Sequence, residues 1–285
     1  MLMKSILLIG ASGMLGSDIH LLAKTHNITV VAPSSSELDI TNQKLVNTFI
    51  EKHAQVDVVI NCAAYTKVDD CEKNQDMALS VNQKGPFYLA KTCHHFDLPL
   101  VHFSTDYVFD GTKDTPYTET DAPNPLSVYG QSKLSGEQAI QANCPDHYIF
   151  RVQWLYGANG HHFINTMKTL FKTKPELSVV CDQLGTPTAT TFIAQHVLHL
   201  LNKGIPYGTY HLAPAGFTHW ADYAAFLAQQ LNAKTIIKPI DTAHFIRPAT
   251  RPLNGRLNTS KVGALLDAPL ANWADYVSYF MSTNL

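Results

Sequence analysis

The stretch Ser5-Ile-Leu-Leu-Ile9-Gly10-Ala-Ser12-Gly13-Met14-Leu15-Gly16 decides the fold. Its first five residues are a short apolar run, the signature of a strand buried on both faces of a parallel sheet. It passes directly into glycines at 10, 13 and 16, after which Leu15, Ile19, Leu22 and Ala23 recur at helical spacing. Strand, glycine-rich turn and helix in that order make a dinucleotide cradle. The glycines let the backbone turn tightly and approach a pyrophosphate, whose charge rests at the helix N-terminus. The spacing is Gly-x-x-Gly-x-x-Gly rather than Gly-x-Gly-x-x-Gly, so the placement between strand and helix carries the reading. Gly10, Ser12, Gly13, Met14, Leu15 and Gly16 are the expected contacts.

Working outward, further strands are expected at Ile28–Ala32, Val56–Ile60, Leu98–Phe103 and Tyr148–Val152. A helix is expected from Asp39-Ile40-Thr41, and a long one from about Ala78 to His95 with Asn82 inside it. Strands alternating with helices at these lengths predict an α/β, Rossmann-type doubly wound parallel sheet. The chain has 285 residues, enough for such a domain with a smaller C-terminal α/β lobe. The expected division gives residues 1–150 and about 182–204 to the NAD(P)-binding domain. About 151–181 and 205–285, including Gly208–Leu212, form a discontinuous substrate lobe.

Composition excludes several classes. A net charge of −2 with dispersed charges leaves no basic patch for nucleic acid. No apolar run reaches membrane-spanning length, and the start is too short and too abruptly ended by glycine for a signal peptide. The five cysteines are odd in number and lack a Cys-x-x-Cys, reading as reduced thiols of a cytoplasmic protein. The doublets His94-His95 and His161-His162 lack metal-ligand spacing and are expected on the surface or in loops.

The second strand ends in Pro33-Ser-Ser-Ser36, where an NAD-specific site usually carries an acid on the ribose 2′-hydroxyl. Its absence there predicts NADPH as preferred cofactor, with NADH accepted. By position Asp39 and Ile40 could flank the adenine, and they equally read as a helix N-cap and its first core contact. The third strand ends in Asn61-Cys62-Ala63-Ala64-Tyr65-Thr66, where ligands bind in open parallel sheets and small residues admit a cofactor.

The fourth strand runs out into Ser104-Thr105-Asp106-Tyr107-Val108-Phe109, whose two hydroxyls can polarise a substrate carbonyl or simply make a turn. A proline-rich loop follows, then Tyr129-Gly-Gln-Ser-Lys133. Four residues apart on a helix, the tyrosine and lysine share a face, and an ammonium nearby favours the phenolate. With 12 tyrosines in the chain the pair alone is weak.

Together with Arg151-Val-Gln-Trp154-Leu-Tyr-Gly157, Asp182-Gln-Leu-Gly-Thr-Pro-Thr188 and Arg251-Pro-Leu-Asn-Gly-Arg256, these motifs resemble the extended short-chain dehydrogenase/reductases, over nearly the whole chain. Within them the likeness is to reductases of dTDP-linked 4-keto sugars. The resemblance implies NAD(P)H-dependent reduction of the C4 ketone of dTDP-4-dehydro-6-deoxy-L-mannose to dTDP-L-rhamnose, for lipopolysaccharide and O-antigen. It makes Tyr129 the proton donor. Lys133 lowers the tyrosine pKa and holds the nicotinamide ribose, while Thr105 with Ser104 bonds the reacting oxygen. It places Trp154 over the deoxysugar, Asn165 on a helix lining the nucleoside pocket, and Arg251 and Arg256, with Arg247, at the diphosphate. The arginine loop has few acids nearby in sequence, and surface ion pairs are its other reading.

Gln153 stands where the family carries a small hydroxyl residue. Some relatives bridge a homodimer through Mg²⁺. Asp18 matches one ligand, but Thr191 replaces another carboxylate, so no metal is expected. Two alternatives remain: a non-catalytic NADP-binding regulatory subunit like the methionine adenosyltransferase β subunit, or a reductase or epimerase of another nucleotide-linked 4-keto sugar. Asp106 and Trp154 speak against the first.

Overall fold

The computed structural model describes residues 3–284. In chain order its elements begin β1 (Ser5–Ile9), α1 (Met14–Thr25), β2 (Thr29–Val31), α2 (Gln43–Lys52), β3 (Val58–Asn61), α3 (Val68–Cys71) and α4 (Gln75–Leu79). A π-helical turn (Ser80–Lys84) leads into α5 (Gly85–His95), then β4 (Leu100–Thr105), α6 (Val128–Asn143), β5 (His147–Val152) and β6 (Leu155–Tyr156). Next come α7 (Phe163–Phe171), β7 (Glu176–Val180), β8 (Leu184–Gly185), β9 (Thr188–Ala189), α8 (Thr190–Lys203) and β10 (Gly208–His211). The chain closes with β11 (Thr218–His219), α9 (Trp220–Gln230), β12 (Ile236–Ile240), α10 (Ser260–Gly263) and α11 (Trp273–Thr283).

Six strands form one parallel sheet in the order β10-β5-β4-β3-β1-β2. The alternation within β1 shows why its sequence is a continuous apolar run. Ile6 and Leu8 face one core layer, which includes α1 and α8, while Leu7 and Ile9 face the other, with α2 and α5. Each such side chain, buried, contributes about 1.5–3 kcal/mol. Among the described residues no helix is long and apolar enough to cross a membrane.

Three expectations need correction. Asp39 does not cap α2: Asn42 does, accepting from Lys44 N (3.1 Å) and Leu45 N (3.2 Å), while Asp39 accepts from Thr41 N (2.9 Å). The long helix is broken by the π-helical turn around Asn82. Gly208–His211 belongs to the main sheet, not to the smaller lobe, pairing in parallel with Tyr148–Arg151. The free edge of β5 carries unpaired backbone groups that a buried segment must satisfy, and Tyr210 and His211 are buried there.

The part of the chain outside the main sheet has short pairs, β12 with β7, β11 with β8, and β6 with β9. Its packing is aromatic: Phe163 stacks on Tyr223, and Trp273 meets Tyr223 and Phe226 edge-on.

Candidate active site

The glycine turn is shaped by close backbone approach. Gly10 has φ +77°, and a Cβ there would lie 2.7 Å from Ala63 N, so this turn and the end of β3 are pressed together. A Cβ on Gly16 would lie 2.1 Å from Gly10 O. The 12-residue helix α1 starts at Gly13 with no capping side chain and no acid in its first turn. Its first N–H groups are therefore open to an anion beside exposed Ser12 and Gly13. This arrangement fits a dinucleotide pyrophosphate.

At the end of β2 an acid does stand by the serines. Glu37 folds back so that its carboxylate accepts from Ser34 N and Ser34 Oγ, both at 2.8 Å. The donors expected to meet a 2′-phosphate are thus already engaged by a negative charge. Asp39 is exposed, lining a polar surface cavity of about 820 Å³ with Thr41, Asn42 and Lys44. Ile40 is buried against Gly85, so it is a core residue rather than an open adenine wall.

Helix α6 is fixed at its start by two devices. Ser127 Oγ accepts from Gly130 N (3.2 Å), and Glu72 Oε1 from Val128 N (2.9 Å). Gly130 and Gly136 let it pack tightly, since a Cβ on either would lie 2.2 Å from a carbonyl oxygen, of Tyr107 and Asn82 respectively. Asn82, displaced inward by the π-helical turn, accepts from Tyr65 N (2.8 Å) and donates to Tyr65 O (2.9 Å) and Ser132 Oγ (3.0 Å). One side chain therefore ties the 61–66 loop to the helix carrying Tyr129. The Tyr65 hydroxyl is itself bonded to Asp70.

The Tyr129 phenol lies beside the Thr105 hydroxyl, and its ring lies edge-on to Tyr107 with ring centres 5.6 Å apart. Burial pushes its phenol above the ordinary tyrosine value, partly opposed by the Thr105 contact. The lysine expected to lower that value does not reach it. Lys133 Nζ points into the sheet, donating to Phe103 O at 2.6 Å and lying 3.1 Å from His102 Nε2. Burial lowers Lys133 to about 8.

Thr105 Oγ1 donates to Asp106 Oδ1 (3.0 Å) and accepts from Tyr107 N (3.2 Å), so its single proton is directed at Asp106. Burial raises Asp106 to about 7. Ser104 Oγ is buried without a partner.

On the substrate side, Trp154 takes φ +47° and stacks on Trp220 with centroids 3.6 Å apart. One indole face is thus committed to packing, and a Cβ on Gly185 would meet its ring at 2.5 Å. Beside it, the Gln153 amide is buried with neither atom bonded. The arginine loop has an acid that linear proximity hides. Asp69 on α3, 182 residues from Arg251, bonds Arg251 Nη2 (3.0 Å) and Arg247 Nη1 (3.3 Å). The ion-pair reading is realised for these two. Arg256 donates to Asn254 Oδ1 (2.8 Å) and Asp114 O (2.6 Å). Asn165 is exposed on α7, donates to Gly160 O (3.4 Å), and borders a cavity of about 390 Å³ with His161, Thr166 and Thr169. His162 lies in the loop before α7, as expected, but is buried there rather than on the surface, near the Tyr156 and Phe280 rings. Asp18 is taken by the Thr190 hydroxyl, and among the described residues no cluster of three His, Cys, Asp or Glu side chains could hold a metal.

Sequence reading missed Glu37, Asn61, Asp69, Asn82 and His102 as parts of the site. Of these only Glu37 lay within reach of a local signal, three residues past Ser34. The others act through contacts between distant segments.

A parallel sheet whose strand ends gather a glycine cradle, a Ser-Thr pair and Tyr-x-x-x-Lys defines a nucleotide-dependent reductase of the extended short-chain dehydrogenase/reductase class. The chain belongs to the family described as "RmlD substrate binding domain", whose model matches residues 3–284. It is 39% identical to the dTDP-4-dehydrorhamnose reductase of Salmonella typhimurium over 282 residues, covering 94% of each chain. Among solved structures, the dTDP-4-dehydrorhamnose reductase of Clostridium acetobutylicum is 39% identical, with a TM-score of 0.94 over 98% of this chain and 99% of that one. The Bacillus anthracis enzyme, solved in complex with NADP, is 31% identical with a TM-score of 0.94, covering 99% and 100%.

Proposed function

We propose that the chain reduces the C4 ketone of dTDP-4-dehydro-6-deoxy-L-mannose, giving dTDP-L-rhamnose. The observation that carries the reading is the Tyr129 phenol lying beside Thr105, one connection after the end of β4, in a sheet whose first strand runs into an uncapped glycine cradle. The cradle fits a nicotinamide dinucleotide, which supplies the hydride when bound; Gly10, Ser12, Gly13, Met14, Leu15 and Gly16 would hold its pyrophosphate, with Cys62, Ala63, Ala64 and Tyr65 alongside.

The chain's own part is the proton and the geometry. A phenol held above its ordinary value stays protonated through the physiological range, which suits a donor to the oxygen that becomes anionic in the transition state. Thr105, turning its proton from Asp106 to that oxygen, supplies a second hydrogen bond where charge develops, with Ser104 behind it. Lys133 reaches the ribose and Tyr129 only after leaving its pocket. Trp154 offers its free face to the deoxysugar. Arg251 and Arg256, already oriented by Asp69 and Asn254, face the diphosphate, and Asn165 the nucleoside.

NADPH is the proposed cofactor, supported by the NADP complex of the Bacillus anthracis relative. Glu37 at Ser34 leaves NADH acceptable too. Residues 1–150 and 182–204 would carry the cofactor, joined by the β10 strand, and the remainder the sugar nucleotide. The five unpaired cysteines support a reducing, cytoplasmic setting, and the product would serve a cell-surface polysaccharide. A homodimer is the proposed assembly.

The test is to supply the purified chain with the 4-keto-L-sugar and NADPH and identify the product. Stoichiometric NADPH oxidation with dTDP-L-rhamnose formed is expected; bound cofactor with no oxidation would turn the reading to a regulatory subunit. Tyr129→Phe should lower turnover at least a hundredfold, the usual scale for losing an acid catalyst, with NADPH affinity kept. Full activity in that variant would remove Tyr129 from the proposed role.

A further inference from the structure

Three buried side chains from different elements form a chain behind the catalytic helix. Asn61 ends β3, His102 lies in β4 and Lys133 comes from α6; each is at most 2% exposed. Asn61 Oδ1 accepts from Ala63 N at 3.0 Å, which fixes the amide orientation, because only the oxygen can accept a backbone N–H. Asn61 Nδ2 is then the atom facing His102 Nδ1, at 3.1 Å, and it is a donor. His102 Nδ1 must therefore be the unprotonated ring nitrogen, and Nε2 carries the hydrogen. That Nε2–H faces Lys133 Nζ at 3.1 Å. Two donors cannot share that contact, so the nitrogen must present a lone pair.

We infer that Asn61 and His102 form a latch that holds Lys133 as an uncharged amine, and that Lys133 leaves His102 as an ammonium. His102 is thus a positioning residue acting through Lys133. The inference rests on the proposed use of Lys133 at the cofactor ribose.

The surroundings agree. The titratable groups facing Lys133 are Glu137 on its own helix, Cys62 at the end of β3 and His102. Glu137 is spent on Arg151, with contacts of 2.9 and 2.6 Å, and the Cys62 thiol is pushed up by burial, so neither gives the lysine a free counter-charge. Burial likewise holds His102 well below the usual histidine value, in keeping with a neutral ring. With Lys133 at about 8, the parked amine dominates above that pH. Below it the added proton turns the His102 contact repulsive and frees the ammonium to swing toward Tyr129. The sign follows: charged Lys133 is present below about 8 and lost as pH rises through it.

Two measurements on the full chain decide the matter. In ligand-free protein at pH 9, ¹⁵N NMR of the histidine rings should show His102 protonated at Nε2 and bare at Nδ1; the opposite tautomer overturns the latch. In His102→Gln, the amide oxygen can accept from an ammonium, so the charged form gains. The alkaline limb of kcat/KM for NADPH should then move up by roughly one pH unit, a tenfold change in proton affinity. A folded His102→Gln with an unmoved limb overturns the latch as well. If the chain oxidises no NADPH, the limb is read from NADPH binding. The missing turnover would then sink the reductase reading alone, and an Nε2–H tautomer in that inactive chain would leave the latch standing. If His102→Gln does not fold, the tautomer decides.

Discussion

At Asp106 a carboxylate 2% exposed lies between Thr105 and Gly255, with no basic side chain bonded to it among the described residues. Its folded value of about 7 lies above the ordinary carboxylate range, so the folded chain binds the extra proton. Its contribution to stability is full in acid and is lost as pH rises through about 7. Asp106→Asn, which never ionises, should therefore be more stable than the parent at pH 8 by up to about 4 kcal/mol, the difference fading toward pH 4 in urea titrations. Glu37 poses a different problem, since its charge rests on the loop that distinguishes cofactors. Glu37→Gln should raise the NADPH-to-NADH ratio of kcat/KM several-fold by removing a repelling charge and weakening the hold on Ser34, on the order of 1 kcal/mol. An unchanged ratio would mean that the 2′ position is read elsewhere. The Tyr129–Thr105 meeting was legible in the sequence because strand ends and helix starts place them. The turning of Lys133 to His102 was not, because it depends on which way a long flexible side chain finds its hydrogen bonds.

Helix α6 and the π-helical turn act together. The turn pushes Asn82 inward, Gly136 gives it room, and Asn82 fastens the 61–66 loop to Ser132. Extra residues in helical turns occur disproportionately at functional sites. Gly136→Ala would drive a methyl to 2.2 Å from Asn82 O, so the helices must part. The expected cost is about 1–3 kcal/mol of stability, seen as a lower Tm, with kcat reduced because Tyr129 rides on α6. A variant with unchanged Tm would show that α6 shifts freely. The helix expected from about Ala78 to His95 begins at Gln75 and is interrupted at Ser80–Lys84, and apolar periodicity carries no sign of a π-helical turn. The turn packs on α6, a tertiary contact that a local pattern does not register.

At the scale of the molecule, distant parts of the chain are tied by Asp69, which holds Arg247 and Arg251 from far along the sequence. Both arginines retain some exposure, so the pairs add little to stability, at most about 1 kcal/mol. Their effect is on position. Asp69→Ala should leave Tm nearly unchanged while raising KM for the sugar nucleotide, with kcat preserved; an unaltered KM would show that the arginines do not serve the diphosphate. The alternation of strands and helices made the parallel sheet legible. The edge strand β10 was not, because four residues between two lobes have no local mark of the sheet they will join.

That strand also sets a schedule. The ribosome delivers β1 to β5 well before Gly208–His211, which must follow roughly 60 residues later, on the order of 3–12 s at ordinary elongation rates. During that interval the nascent sheet carries an unpaired outer edge at β5, just the kind of surface that neighbouring chains can zip onto. Synthesis of this protein should therefore depend on chaperone supply more than its final stability would suggest, and a messenger slowed between codons 152 and 208 should yield more aggregate from the same sequence.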